Sequence, residues 1–234
     1  MGVGNLANIG ISGMQASKAA VATTGHNISN ANTEGYSRQR VETEANTPRA
    51  FGGKGYIGSG TLISRVSRTN DQYLEKQLRN ANRDMSFMEE KEMALHQVED
   101  IFNEMNGDGL NRLVSRFFNE FRKLANEPEN EAIRQSVREA SQAVVNDFHR
   151  LRSEIVETRK HIDARLEGYC GEINQHTEEL KDLNLKIRQL EVSGAPANDL
   201  QDKRDQVLKK IATYMDVATH TDNNGNYTVD IRGV

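Results

Sequence analysis

The chain has 234 residues with a formal net charge of -4, 36% hydrophobic and 27% charged residues, and no Trp. Such a balance suits long, solvated helices better than one compact core, and its acidic sign gives no basis for nucleic acid or an anionic membrane as a partner. A single cysteine, Cys170, leaves no intrachain disulfide, and no run approaches the ~18 apolar residues of a membrane span.

Residues 4–30 read as a helix with two near-heptad seams. Leu6, Ile9, Gly13, Ala16, Ala20, Thr23 and Asn27 form one; Ile11, Met14, Val21 and Ile28 form the other. Small residues in a seam allow close approach, and apolar residues on more than one face imply several neighbours. Gly4, Gly10, Gly13 and Gly25 each disfavour helix by roughly 1 kcal/mol against Ala. The segment is therefore expected to be poorly ordered alone and helical when assembled. The N-terminus lacks a basic region followed by a long apolar one, so a cleaved signal peptide is not expected.

Asn30, Asn32 and Gly35 should stop this helix, since Asn and Gly tolerate the left-handed conformation of caps and turns. The stretch 31–36 reads Ala31-Asn32-Thr33-Glu34-Gly35-Tyr36. Alternation over 36–66 implies extended chain interrupted by a flexible glycine-rich loop at 51–60. That loop lacks the GxxxxGK[ST] order and the following helix of a phosphate-binding loop.

Helical periodicity then returns. Residues 70–105 form one element and 110–126 another. Phe117, Phe118 and Phe121 in the second are expected to fill the widest part of a bundle. Pro128, with Glu129 and Glu131 behind it, reads as the start of a helix reaching Val192. That helix would be roughly 96 Å long, a rod, with Gly168 and Gly171 as its expected bend or break. Ser193-Gly194-Ala195-Pro196 makes a turn. Asn198 or Asp199 should cap a helix through about Tyr214, with Leu200, Val207, Leu208 and Ile211 inward. Segments 217–221 and 227–231 flank Asn224-Gly225, a hairpin signature.

No constellation of residues carries recognisable chemistry. The six histidines, among them His26, His149 and His220, form no HExxH or Cys/His cluster. Cys170 and His176 point to different faces of a helix. No GxSxG is present. Neither a catalytic residue, a cofactor nor a metal is expected, and the glutamates and lysines of the long helices read as a solvated face.

The small-residue helix followed by the 31–36 segment resembles the N-terminal signature of bacterial flagellar rod, hook and hook-associated proteins. Leu110–Leu124 with Ala125-Asn126-Glu127-Pro128 is similar to the helix pair of the first hook-associated protein family. Residues 198–206, reading NDLQDKRDQ, are similar to that family's NDLLDQRDQ segment and depart from it at Gln201 and Lys203. The resemblance spans essentially the whole chain. It implies a mainly α, elongated helical bundle or coiled-coil rod. To this are added a short extended glycine-rich segment and a C-terminal β-hairpin that begins a truncated β region.

Four segments are expected: 1–33, an axial-core helix; 34–69, a connector; 70–216, the long-helix bundle; 217–234, the hairpin. The resemblance implies a structural subunit joining hook to filament, exported unprocessed by the flagellar type III apparatus to an extracellular site. Its implied assembly helix carries Leu6, Ile9, Gly13, Ala16, Ala20, Val21 and Ile28. Its implied turn carries Asn30, Asn32, Thr33, Gly35 and Tyr36. The implied partners are further copies of itself in a tube or ring, the hook protein and the next hook-associated protein. An export chaperone would engage a C-terminal part beyond this sequence. Neither nucleic acid nor membrane is implied. A hook or rod protein is the alternative, although those turn to β-rich domains soon after the glycine-rich stretch. A soluble coiled-coil adaptor would explain the middle of the chain but not residues 4–36.

Overall fold

A computed structural model describes residues 3–50, 53, 55–102, 109–221 and 227–232. The fold is mainly α. Five helices run α1 (Val3–Ser29), α2 (Gln72–Phe102), α3 (Leu110–Asn126), α4 (Glu131–Val192) and α5 (Asn198–Ala212). Six strands accompany them: β1 (Gln39–Ala45), β2 (Arg49–Ala50), β3 (Tyr56–Ile57), β4 (Thr61–Arg68), β5 (Val217–Thr221) and β6 (Tyr227–Ile231). Each strand belongs to an antiparallel pair, β1 with β4, β2 with β3, and β5 with β6.

The backbone divides into two compact units. One comprises residues up to Asp84 together with those from Ile173 onward. Its core gathers Leu180 and Leu183 of α4, Val207, Leu208, Ile211 and Ala212 of α5, and Val217 of β5, with Tyr227 and Val229 packed against them. Two strands alone are marginal in water, and β5–β6 gains its stability by closing over this cluster. At the other side of the unit, α1 packs on both strands of the β1–β4 hairpin. A register shift between Glu42 and Thr43 interrupts that hairpin.

The second unit, residues 85–172, takes the later part of α2, all of α3 and the earlier part of α4. Ile101, Val137, Ala140 and Leu151 are buried in it. Glu90 of α2 accepts hydrogen bonds from Arg165 Nη2 at 2.7 Å and Tyr169 Oη at 2.6 Å, both from α4. The carboxylate raises the Tyr169 pKa by accepting the phenol's proton in a hydrogen bond.

Several local expectations need correction. Gly168 and Gly171 do not break α4, which runs through both without interruption. Each costs only helix propensity, and the apolar period on either side outweighs it. The start of α4 is set by Asn130, whose Oδ1 accepts from the backbone N–H of Ala132 and Ile133. Pro128 lies in the turn before it. Helix α3 does not plug a bundle: no residue of it is buried, and Phe118 and Phe121 are 55% and 44% exposed. Its aromatic side chains stack edge-to-face on one another instead. Asn198 and Asp199 do not cap α5, which starts after Ala197 with no side-chain cap; both are drawn into longer-range bonds described below. Asn30 and Asn32 do not take positive φ, since among the described residues glycines alone do so. The tip Asn224-Gly225 lies outside the described residues.

Candidate functional site

The first helix uses its two seams differently. Ile9, Gly13, Ala16, Thr23 and Asn27 are half-buried, on the side where the hairpin docks. Leu6, Met14, Val21 and Ile28 are 59%, 70%, 72% and 71% exposed, and Ile11 and Ala20 are exposed as well. From Ile9 to Asn27 the first seam is docked within the chain except at Ala20, while Leu6 at its start stays exposed. The other presents large apolar side chains to solvent, on a helix too short of intrinsic propensity to need them there.

Two close approaches hold the satisfied seam. Gly60, at φ +94°, opens β4 against α1; a Cβ there would fall on Ser12 Oγ and 3.3 Å from the Ile9 Cα. The Thr61 backbone N–H donates to Ser12 Oγ at 3.1 Å. Reading 51–60 as a flexible loop missed this contact. A glycine directly before a β-branched run, opposite a small-residue seam, was the available signal. Further along, Asn27 pairs with the Gln39 backbone as a neighbouring strand would. Its Oδ1 accepts from Gln39 N–H and its Nδ2 donates to Gln39 carbonyl, both at 2.9 Å. Tyr36 Oη donates to the same Asn27 Oδ1 at 2.8 Å. The His26 ring lies edge-on to Tyr36 at 5.4 Å, with Nδ1 3.0 Å from the hydroxyl.

The turn itself is built from local bonds. Asn30 Nδ2 donates to the His26 carbonyl at 3.0 Å, closing the last turn of α1. Thr33 Oγ1 donates to Asn30 Oδ1 at 3.2 Å, and Tyr36 N–H to the Thr33 carbonyl at 3.2 Å. Asn32 is exposed. Gly35 takes φ +72°, so here positive φ is required.

The structure then brings together two segments the sequence singled out separately. The turn and hairpin base, 34–39 and 66–70, lie on α5, the NDLQDKRDQ helix. Ser37 N–H donates to Asp202 Oδ2 at 2.8 Å. Gln39 Nε2 donates to Asp199 Oδ1 at 2.6 Å, and Asn198 Nδ2 to the Val66 carbonyl at 2.9 Å. Gln206 Nε2 donates to the Glu34 carbonyl, and a Cβ on Gly35 would run into that same side chain. Arg68 Nη1 reaches both Asp202 Oδ1 at 2.8 Å and Asp205 Oδ2 at 2.6 Å, with all three side chains largely buried. Burial opposes the Arg68 charge, yet Asp205 and Asp202 prevail and hold its pKa above the ordinary value. Burial also raises the Tyr36 pKa, helped by Asp199 and Asp202. Asp199, Asp202 and Asp205 recur at three-residue spacing, which puts them on one face of α5. The arrangement positions a helix against a second element through buried charge. Among the described residues no group of three or more metal-ligating side chains occurs, and no helix is long and apolar enough to cross a membrane.

A model of the flagellar hook-associated protein FlgK helical domain matches residues 95–234, and one of the flagella basal body rod protein matches residues 8–36. Flagellar hook-associated protein 1 of Bacillus subtilis (strain 168) is 31% identical over 94% of this chain and 45% of that protein. Its counterpart in Salmonella typhimurium is 27% identical over 96% and 41%. The chain thus spans less than half the length of the curated relatives it matches. The flagellar hook junction protein FlgK from Burkholderia pseudomallei superposes with a TM-score of 0.60 at 20% identity, over 67% of this chain and 27% of that one. At that identity the likeness shows the fold alone.

Proposed function

Because this chain belongs to the family of the flagellar hook-associated protein FlgK helical domain, we propose that it is a structural, non-catalytic part of the bacterial flagellum that helps join hook to filament. The observation that carries the reading is the open seam of α1. Met14, Val21 and Ile28 lie in a row at seven-residue spacing on a helix whose other seam is already docked from Ile9 onward, and an apolar row of that kind is an assembly surface in waiting. In this reading residues 1–33 form the axial segment, 34–69 the connector, 70–216 the helical body and 217–234 the hairpin. The buried Arg68–Asp202–Asp205 cluster fixes the hairpin on which the axial helix docks against α5, so that a row of subunits presents the open seam in register. Export without a cleaved signal peptide, an extracellular position, contacts with the hook protein and the next hook-associated protein, and a chaperone on a further C-terminal part complete the proposal.

Negative-stain microscopy of cells lacking the gene tests it. Hooks without filaments are expected. Cells that lack hooks as well would point to a rod or hook subunit, the reading that the basal-body rod match at residues 8–36 favours. Normal filaments would refute both.

A further inference from the structure

A cleft of about 440 Å³ in the first unit lies between the start of α2, α5 and the β5–β6 hairpin. Arg79 of α2 and Arg204 of α5 both line it. Each is 8% exposed, and the Nε of each is buried without a hydrogen-bond partner among the described residues. A buried guanidinium ordinarily has a carboxylate opposite it, because desolvating an unpaired charge is costly. None of the nearby acids of the described residues hydrogen-bonds to either guanidinium. Glu75, one turn before Arg79, pairs with Lys209 at 2.9 Å although its Oε2 is itself buried without a hydrogen-bond partner; Asp205 takes Arg68 at 2.6 Å and Asn70 at 3.2 Å, Glu191 takes Gln201 at 2.8 Å, Asp216 takes Arg83 at 2.9 Å, and Asp230 takes His220 at 3.0 Å. Arg204 stacks on the Tyr227 ring, 3.6 Å from its guanidinium carbon, and feels the Asp205 and Glu191 carboxylates through space. Burial lowers its pKa, so the cationic form sits in its place against desolvation. Lys76 and Arg68 add two further cations to the lining, against the carboxylates of Glu75 and Asp205.

We propose that this cleft is an anion-binding site, in which Arg79 and Arg204 grip an oxyanion that is either the carboxylate of an acidic side chain on another protein or a free phosphate. The guanidinium fork matches both geometries. The residue types are absent from any catalytic pattern, and the α1 seam does not use them. The site adjoins the Arg68–Asp202–Asp205 cluster, since Arg68 and Asp205 also line it, but Arg79 and Arg204 take no part in that cluster's hydrogen bonds.

The test uses the intact chain at constant ionic strength, titrated by calorimetry and by thermal unfolding with inorganic phosphate and with a short poly-glutamate peptide. Saturable binding of at least one probe is expected, with a rise in Tm. Arg79→Gln and Arg204→Gln should each weaken it by roughly tenfold or more. A second readout does not depend on the ligand. Without any anion, Arg79→Met should melt higher than the parent chain, since it removes an unpaired buried charge, while losing the ligand-induced rise. Preference for poly-glutamate over phosphate assigns the site to a protein carboxylate; the reverse assigns it to free phosphate. Absence of binding by both probes overturns the proposal, as does binding that survives in both Gln variants.

Discussion

Replacing Asp202 by Ala removes the residue that ties the turn, the hairpin base and α5 to one another. The side chain is 7% exposed and accepts from Ser37 N–H at 2.8 Å and from Arg68 Nη1 at 2.8 Å. A hydrogen bond to a charged group contributes about 1.5–3 kcal/mol, and an orphaned buried N–H costs about 1–3 kcal/mol. Breaking a buried ion pair outright costs about 3–5 kcal/mol, but Arg68 keeps Asp205 at 2.6 Å, so that full penalty does not apply. The expected loss is about 3 kcal/mol, read from urea unfolding followed by circular dichroism. Hydrogen exchange should show the Ser37 amide losing its protection first. The double variant with Arg68→Met should lose less than the sum of the two single changes, by about 1–2 kcal/mol. A loss under about 0.5 kcal/mol, or strict additivity with Arg68→Met, would refute the claim that this buried charge fixes the joint.

Three further outcomes follow from the same geometry. Gly35→Val must hold a β-branched residue at φ +72° against the Gln206 side chain; it should cost about 1–3 kcal/mol and lower the melting temperature of the unit that contains α5, and an unchanged melt would show the turn to be adaptable. Gly60→Ala places a methyl group on Ser12 Oγ at a similar cost of about 1–3 kcal/mol, and exchange at the Thr61 amide should speed up. Hydrogen bonds from Arg65 and then Ser67 hold the Glu42 carboxyl at about 2, below its ordinary 4.5. The folded hairpin therefore binds fewer protons than the unfolded chain between those values, so Glu42 supports β1–β4 fully above pH 4.5 and loses that support as the pH falls toward 2. Carbon-detected titration should find the low midpoint, and Glu42→Gln should flatten the acid sensitivity of the hairpin.

Much of the fold is legible in the sequence because its helices are long and strongly periodic. The apolar spacing from Ile133 to Leu190 specifies α4 almost to the residue, and the breaks at Pro128 and Gly194 fall where the chain turns. The joint is far less legible. Asn198 and Asp199 look like helix caps because local sequence offers them no other acceptor or donor, yet their partners Val66 and Gln39 lie 132 and 160 positions away. Nothing local marks the three aspartates of α5 for burial either, and it is Arg68, 134 residues earlier, that makes Asp202 a buried ion. The phenylalanines of α3 mislead in the opposite direction: a periodic apolar face says that a surface can be buried, not that this chain buries it. The two seams of α1 are visible in the sequence, whereas which one the hairpin takes depends on Gly60 and Asn27, whose partners are set by the tertiary structure.

The most direct test of the account separates the two faces of α1 within cells that lack the gene. Val21→Asp changes a side chain that is 72% exposed and touches the open seam alone. Purified, this variant should melt with the parent protein, because the docked face and the α5 joint are intact. Returned to the cells and examined by electron microscopy, it should leave hooks bare of filaments. Filaments of normal number and length on those hooks would contradict the account, since the open seam would then have no part in assembly.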